Sequence, residues 1–363
     1  MSSHIGVPSP MPGTSSTASL NAPSETPRTI FSRSHLNETY SSTAMGVSEE
    51  NIRRILKPGL YVPTLAFFKD NEELDDGTIG QHAIRMARAG VMGIIVQGTY
   101  GEAAHLSHTE RCKVTRTTRH AVATAGYPQL PVIVGCGAQT TSEAIELCHD
   151  AKSSGGDYAL VLPPSAYKSQ YTQDALKAFF TDIAGASPIP ILLYNYPSVT
   201  EIELDSNMII DLAKHPNIIG CKLTCNDMGK LNRITAATNP STSTDLGSGF
   251  MCFAGSADAT VQALRGGASG VIAGLANIAP KTCVKLVELH NLGQDDEARG
   301  VQAAVARADL AIITSGIVGA KSALKSFYGY GGFGRRPLPR PGEQEVSEYA
   351  DEFKEIVDME NSL

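Results

Sequence analysis

The sequence predicts a (β/α)₈ barrel, and three observations carry that prediction. From residue 60 onward, eight short apolar runs alternate with longer stretches of helical period. The alternation fills about 235 residues, close to the ~250 that a closed barrel of eight strand-helix units needs. The rival is an open doubly wound sheet, which often carries a G-x-G-x-x-G turn after its first strand. Here the first run leads into "KDNEELDDGT", which has no such turn.

The runs, in order, are "LYVPTLAFF" (60–68), "VMGIIVQGT" (91–99), "PVIVGCG" (131–137), "YALVLPP" (158–164), "IPILLYNYP" (189–197), "IIGCKLT" (218–224), "FMCFAGS" (250–256) and "GVIAGLAN" (270–277). The intervening helices announce their starts. Ser107 stands three residues before Glu110, Thr140 and Thr141 precede Glu143, and Asp205 precedes "SNMIIDLAKH". Short oxygen-bearing side chains at such places accept the free N–H groups of a first helical turn. After the eighth unit, three more helical segments are expected at 295–314, 316–330 and 344–360, packed outside the barrel. The Gly- and Pro-rich "GYGGFGRRPLPRPGEQE" between the last two reads as a loop. The expected organisation is an extension over 1–57, the barrel over 58–293 and a helical extension over 294–363.

Residues 1–46 are rich in Ser, Thr and Pro and sparse in apolar side chains. They cannot bury enough surface to offset ordering, so disorder is expected. Arg28 and Arg33 admit a mitochondrial targeting role, although Glu25 and Glu38 balance them and no apolar signal core is present. The working expectation is a cytoplasmic protein. A net charge of −7 argues against a phosphate-binding surface, so no nucleic-acid partner is expected. No unbroken apolar stretch reaches the ~18 residues of a membrane span. The seven cysteines are scattered, without a C-x-x-C pair. That pattern suggests reduced thiols in an intracellular protein and no metal site.

The sixth run raises a specific question, because Lys222 interrupts it. Side chains alternate faces along a strand. Ile218, Gly220, Lys222 and Thr224 then share one face, and the apolar Ile219, Cys221 and Leu223 share the other. The apolar set should pack on helices, so Lys222 points into the barrel. It lies near the strand's C-terminal end, where barrel active sites form. A strand-end lysine can simply snorkel to solvent. A buried one favours the neutral amine, which attacks carbonyls to form an imine. By the same parity Tyr194 in "ILLYNYP" faces inward, where its phenol is either packing or a proton relay. The turn at Thr99, Tyr100 and Gly101 presents backbone N–H groups and a hydroxyl suited to a carboxylate.

Taken together, "GTYGE", "PIPILLYNYP", "HPNIIGCKLT", "AGSAD", "GGASGVIAGLAN" and "GYGGFGRRPLP" resemble the dihydrodipicolinate synthase / N-acetylneuraminate lyase family from about residue 58 to 340. The resemblance implies a class I aldolase that handles pyruvate through a lysine imine, with no metal and no organic cofactor. It implies Lys222 as the imine-forming lysine and Tyr194 as the acid/base phenol. Thr99 and the backbone at Tyr100 and Gly101 would hold the pyruvate carboxylate, and Gly255 and Ile272 would line its pocket. Tyr167 in "PPSAYKS" matches a family tyrosine whose loop reaches a neighbouring subunit. The family is commonly a homotetramer, a dimer of dimers, which makes a tetramer or a homodimer the expectation.

Two departures stand out. The family's turn usually has a small polar residue where this chain has Tyr100. The synthases also carry an arginine two residues after the proline of the tyrosine strand, where this chain has Val199. Val199 cannot make a bidentate carboxylate contact. The pattern instead resembles fungal 2-keto-3-deoxy-sugar-acid aldolases, which split a keto acid into pyruvate and an aldehyde. Three alternatives stay open: a dihydrodipicolinate synthase, a 4-hydroxy-2-oxoglutarate aldolase, and a barrel that binds keto acids without turnover.

Overall fold

The computed structural model describes residues 54–363. The expectation of disorder over 1–46 lies outside those residues. Eight parallel strands, β1 (Gly59–Pro63), β2 (Gly93–Val96), β3 (Val132–Gly135), β4 (Tyr158–Val161), β5 (Ile191–Asn195), β6 (Ile218–Leu223), β7 (Met251–Ala254) and β8 (Gly270–Ile272), pair in chain order, and β8 closes on β1. The helices are α1 (Asp76–Arg88), α2 (His108–Thr124), α3 (Thr141–Ser153), α4 (Gln173–Ala186), α5 (Pro197–Thr200), α6 (Ser206–Leu212), α7 (Met228–Thr238), α8 (Thr260–Arg265), α9 (Pro280–Asn291), α10 (Asp295–Tyr328) and α11 (Glu343–Ser362). The expected caps form. Ser107 and Glu110 close a capping box, Thr140 accepts from Glu143 N, and Asp205 accepts from Met208 N.

Every strand is shorter than its apolar run. Some surplus residues precede their strands, as Val91, Ile189 and Phe250 do, and the rest belong to loops at the C-terminal mouth. After β1, Leu65, Ala66, Phe67 and Phe68 are all buried, and Phe67 packs edge-on against His82 (5.1 Å) and Tyr330 (5.8 Å). A run of apolar residues reports burial, and here the burial outlasts the strand.

The barrel interior explains the lysine. Seven strands send apolar side chains inward: Tyr61, Ile95, Ile133, Leu160, Leu192 with Tyr194, Met251 with Phe253, and Ile272. From β6 the inner face receives Lys222, with only the half-buried Ile219 packed against the cluster. The simple parity of β6 fails at its start. Ile191 pairs with Ile218, but Leu192 pairs with Gly220, so the register shifts there. Ile218 therefore joins the outer core and Ile219 turns inward, opposite to expectation. The shift precedes Gly220, so Lys222 keeps its predicted direction. Gly220 serves less to make room for the lysine than to admit its neighbour, since a Cβ there would overlap the Met251 carbonyl.

The C-terminal segment also departs from expectation. α10 runs through the predicted gap near residue 315, broken only at Gly316 (φ 60°, ψ −145°), a conformation that favours glycine. By length and composition this one helix is long and apolar enough to cross a membrane. Its buried side nevertheless carries Gln302, Asp309 and Lys321, each bonded to a loop at the barrel mouth. Arg335, in the loop after α10, forks onto Glu110 and onto the carbonyls of His105 and Glu72. The extension thus grips the mouth; it does not merely pack outside the barrel.

One of its contacts makes stability depend on pH. His82 of α1 is buried, with Nδ1 2.8 Å from the Tyr330 hydroxyl and Nε2 2.9 Å from Asn277 Oδ1. Burial, opposed by the Asn277 contact, pulls its pKa down to about 3. The folded value lies below the unfolded one, so the contribution is intact above about 6.5 and is lost as pH falls toward 3. Thermal unfolding of wild type and His82→Gln between pH 6.5 and 5 should show the wild type losing stability more steeply. The difference should approach about 1.4 kcal/mol per pH unit, one proton's worth. Parallel curves would assign the acid sensitivity elsewhere.

Candidate active site

Lys222 and Tyr194 stand directly opposite each other in the β5–β6 register. Lys222 is 4% exposed and Tyr194 3%. The lysine Nζ donates to the Tyr194 hydroxyl at 3.0 Å and lies 4.1 Å from the ring centroid. Tyr196 stacks on Tyr194, with centroids 5.7 Å apart and planes at 24°. On the far side of β6, Lys222 pairs with Phe253. The amine is therefore held among aromatic and aliphatic groups, with a phenol as its hydrogen-bond partner.

A cleft of about 530 Å³ opens at the C-terminal mouth, and Thr99, Leu160, Leu162, Tyr194 and Val199 are on its wall. Ile317 of α10 and Leu338 of the following loop complete that wall. A larger groove of about 1000 Å³ lies outside the barrel, along α1, α2 and the start of α9. It touches neither Lys222 nor Tyr194, whereas Tyr194, though not Lys222, is on the wall of the smaller cleft, which is therefore the relevant one.

The remaining predicted residues divide. The turn at 99–101 exists, but it leads into a short 3₁₀ turn before α2 begins at His108. Tyr100 sends its side chain away from the cleft, its hydroxyl donating to the Ile312 carbonyl at 3.3 Å. Burial, with Asp309 nearby, raises that phenol's pKa. Asp309 itself is pushed up to about 7 by burial, with Asp258 adding to the effect. Ile272 is fully buried inside the barrel. Gly255 is required by a close approach, since a Cβ there would overlap the Thr224 hydroxyl. Val199 is 50% exposed at the rim, and Tyr167, at 64%, is exposed and is not on the cleft wall.

Sequence reading passed over two features. The buried Thr224 hydroxyl has no hydrogen-bond partner among the described residues. It sits two residues beyond Lys222, on the face that alternation already assigned to it. The other is the ion pair of Glu102 with Lys321, 219 residues apart, for which no local pattern exists. Among the described residues, no group of three or more His, Cys, Asp or Glu side chains is placed to hold a metal ion.

Known proteins resemble this chain in sequence and in fold. Residues 57–359 match the Dihydrodipicolinate synthetase family. The chain is 50% identical over 311 residues to a "Probable 4-hydroxy-2-oxoglutarate aldolase, mitochondrial" of Emericella nidulans, covering 85% of this chain and 98% of that one. It is 43% identical over 307 residues to an L-threo-3-deoxy-hexylosonate aldolase of Hypocrea jecorina, covering 84% and 98%. The dihydrodipicolinate synthase of Thermotoga maritima superposes with a TM-score of 0.76 at 26% identity, covering 83% of this chain and 99% of that structure. A barrel built around a phenol-bonded lysine, matched along nearly its whole length, places this chain in the dihydrodipicolinate synthetase family.

Proposed function

We propose that the protein is a class I aldolase that cleaves a 2-keto-3-deoxy sugar acid to pyruvate and an aldehyde. The observation that carries this reading is the buried Lys222 amine 3.0 Å from the Tyr194 hydroxyl. The neutral amine adds to the C2 carbonyl, and the phenol protonates the departing hydroxyl as water, leaving a protonated imine beside the phenolate. The resulting phenolate takes the proton of the C4 hydroxyl as the C3–C4 bond breaks, and the aldehyde leaves. The enamine then recovers a proton at C3, and water releases pyruvate and frees the lysine. The turn at Thr99, Tyr100 and Gly101 holds the keto-acid carboxylate, with Gly255 and Ile272 shaping the pocket around the methyl end.

The test is borohydride reduction in the presence of pyruvate, followed by peptide mass mapping. The expected product is a stable adduct on Lys222. An adduct on another lysine, or none, would remove the basis of the reading.

A second reading is favoured by the higher identity to the Emericella nidulans protein, whose name gives 4-hydroxy-2-oxoglutarate as its substrate. That substrate yields a second carboxylate on the aldehyde half. Val199 at the rim offers no cation for it. Losing one charge-assisted hydrogen bond costs about 1.5–3 kcal/mol. Neutral polyhydroxy aldehydes lose nothing. Val199→Arg is therefore expected to shift preference toward acidic aldehydes such as glyoxylate or aspartate semialdehyde by roughly 10-fold or more. The measurement is kcat/KM for condensation with pyruvate. Wild-type protein that uses acidic and neutral aldehydes equally well would restore the second reading or the synthase.

The assembly is proposed as a homotetramer, with a homodimer as the alternative. The exposed apolar side chains Tyr167, Leu310 and Ile313 support a covered surface. The names of relatives from Emericella nidulans and Coccidioides immitis include "mitochondrial", which favours the mitochondrial alternative over the cytoplasmic one.

A further inference from the structure

Glu102 and Lys321 form an ion pair with almost no solvent contact, at 0% and 1% side-chain exposure. Lys321 Nζ is 2.6 Å from Glu102 Oε1 and 3.0 Å from the Phe333 carbonyl, with the Phe68 ring 4.8 Å away. The other carboxylate oxygen accepts from Arg335 N and stands 2.9 Å from His105 Nδ1. Replacing such a pair by apolar side chains is often neutral or stabilising, so stability alone does not account for it.

Its place in the chain does. Glu102 ends the turn proposed to hold the keto-acid carboxylate, and its own N–H donates to the Thr99 carbonyl at 3.1 Å. The turn is bracketed by two non-glycine residues in the left-handed region, Gln97 (φ 58°) and Glu102 (φ 48°). Each such residue costs on the order of 1 kcal/mol or more and persists only where its surroundings over-determine it. Both brackets are pinned by their side chains. Gln97 Nε2 donates to the Arg111 carbonyl (2.6 Å) and to Thr115 Oγ1 (2.8 Å). Glu102 is pinned by Lys321.

We propose that Lys321, on α10, is a positioning residue that acts through Glu102 to set the geometry of the carboxylate-holding turn at Thr99–Gly101. The proposal rests on the reading of that turn as the keto-acid site. Removing the ammonium leaves Glu102 as a buried charge without its cation, and the carboxylate must move toward water or take up a proton. Either response releases the left-handed residue and displaces the backbone N–H groups of the turn. Lys222 and Tyr194 sit on different strands, so their chemistry should continue once substrate is bound.

The experiment uses full-length wild type, Lys321→Met, Lys321→Arg and Glu102→Gln. Two quantities are read: the pyruvate concentration giving half-maximal borohydride trapping on Lys222, and kcat for cleavage of a 2-keto-3-deoxy sugar acid at saturation. Lys321→Met and Glu102→Gln are expected to raise half-saturation ten-fold or more while kcat falls less than three-fold. Lys321→Arg, which restores the charge, is expected to fall between them and wild type. If Lys321→Met does not fold, Glu102→Gln, which keeps a hydrogen-bonding side chain of the same length, carries the test. Folded variants that trap pyruvate within two-fold of wild type overturn the proposal, as does a loss confined to kcat. Wild type that fails to trap pyruvate on Lys222 overturns the reading of the site, and the positioning role with it.

Discussion

Lys222→Arg is expected to lose turnover by roughly 10⁴–10⁶-fold, the scale seen when an enzyme's covalent nucleophile is removed. A guanidinium stays protonated and cannot attack a carbonyl. The site also offers its bulk little relief, because Lys222 is 4% exposed and flanked in the sheet register by Tyr194 and Phe253. Lys222→Met separates chemistry from folding. It removes the amine but keeps an unbranched apolar chain among apolar neighbours, so its unfolding temperature should match or exceed that of wild type. Pyruvate trapping and cleavage should vanish in both variants. Residual turnover in Lys222→Met above a thousandth of the wild-type rate would mean that another amine does the work.

Tyr194→Phe is expected to slow cleavage by about 10²–10⁴-fold, the usual worth of a positioned acid/base group. The substitution is a narrow one. Phe keeps the ring that Lys222 Nζ approaches at 4.1 Å and that Tyr196 stacks on at 5.7 Å. Only the hydroxyl 3.0 Å from Nζ is lost. Packing should hold, and pyruvate should still occupy the pocket. Stopped-flow cleavage and equilibrium trapping measured side by side distinguish the roles. If both remain near wild type, the phenol only fills space. If both fall together, it also sets the position of the amine.

The central pair was legible because strand alternation is a local rule with a two-residue period. It predicted the inward direction of both Lys222 and Tyr194, and it put Thr224 on the face of Lys222. It failed at Ile218 and Ile219 for a reason alternation does not contain. The shift belongs to the pairing of β6 with β5, not to β6 alone. Strand ends were misread because burial was taken for extension, whereas Leu65 to Phe68 are buried as a loop. The cleft wall formed by Ile317 and Leu338 was out of reach. Those side chains share one cleft with residues near position 100, and neither carries a local sign of it.

The link between Glu102 and the C-terminal segment has a consequence for the order of synthesis. The carboxylate emerges 219 residues before Lys321. At ~5–20 residues per second, it waits roughly 10–45 s for its cation. Arg335, whose backbone N–H also binds Glu102, comes later still. An unpaired carboxylate resists burial, so the nascent turn remains hydrated while six further strands are made. The barrel can close its sheet before translation ends. Its mouth takes its final form only when Lys321 and Arg335 are in place. A ribosome-bound chain that holds all eight strands but stops short of residue 321 should therefore be folded in its sheet and poor at capturing a keto acid.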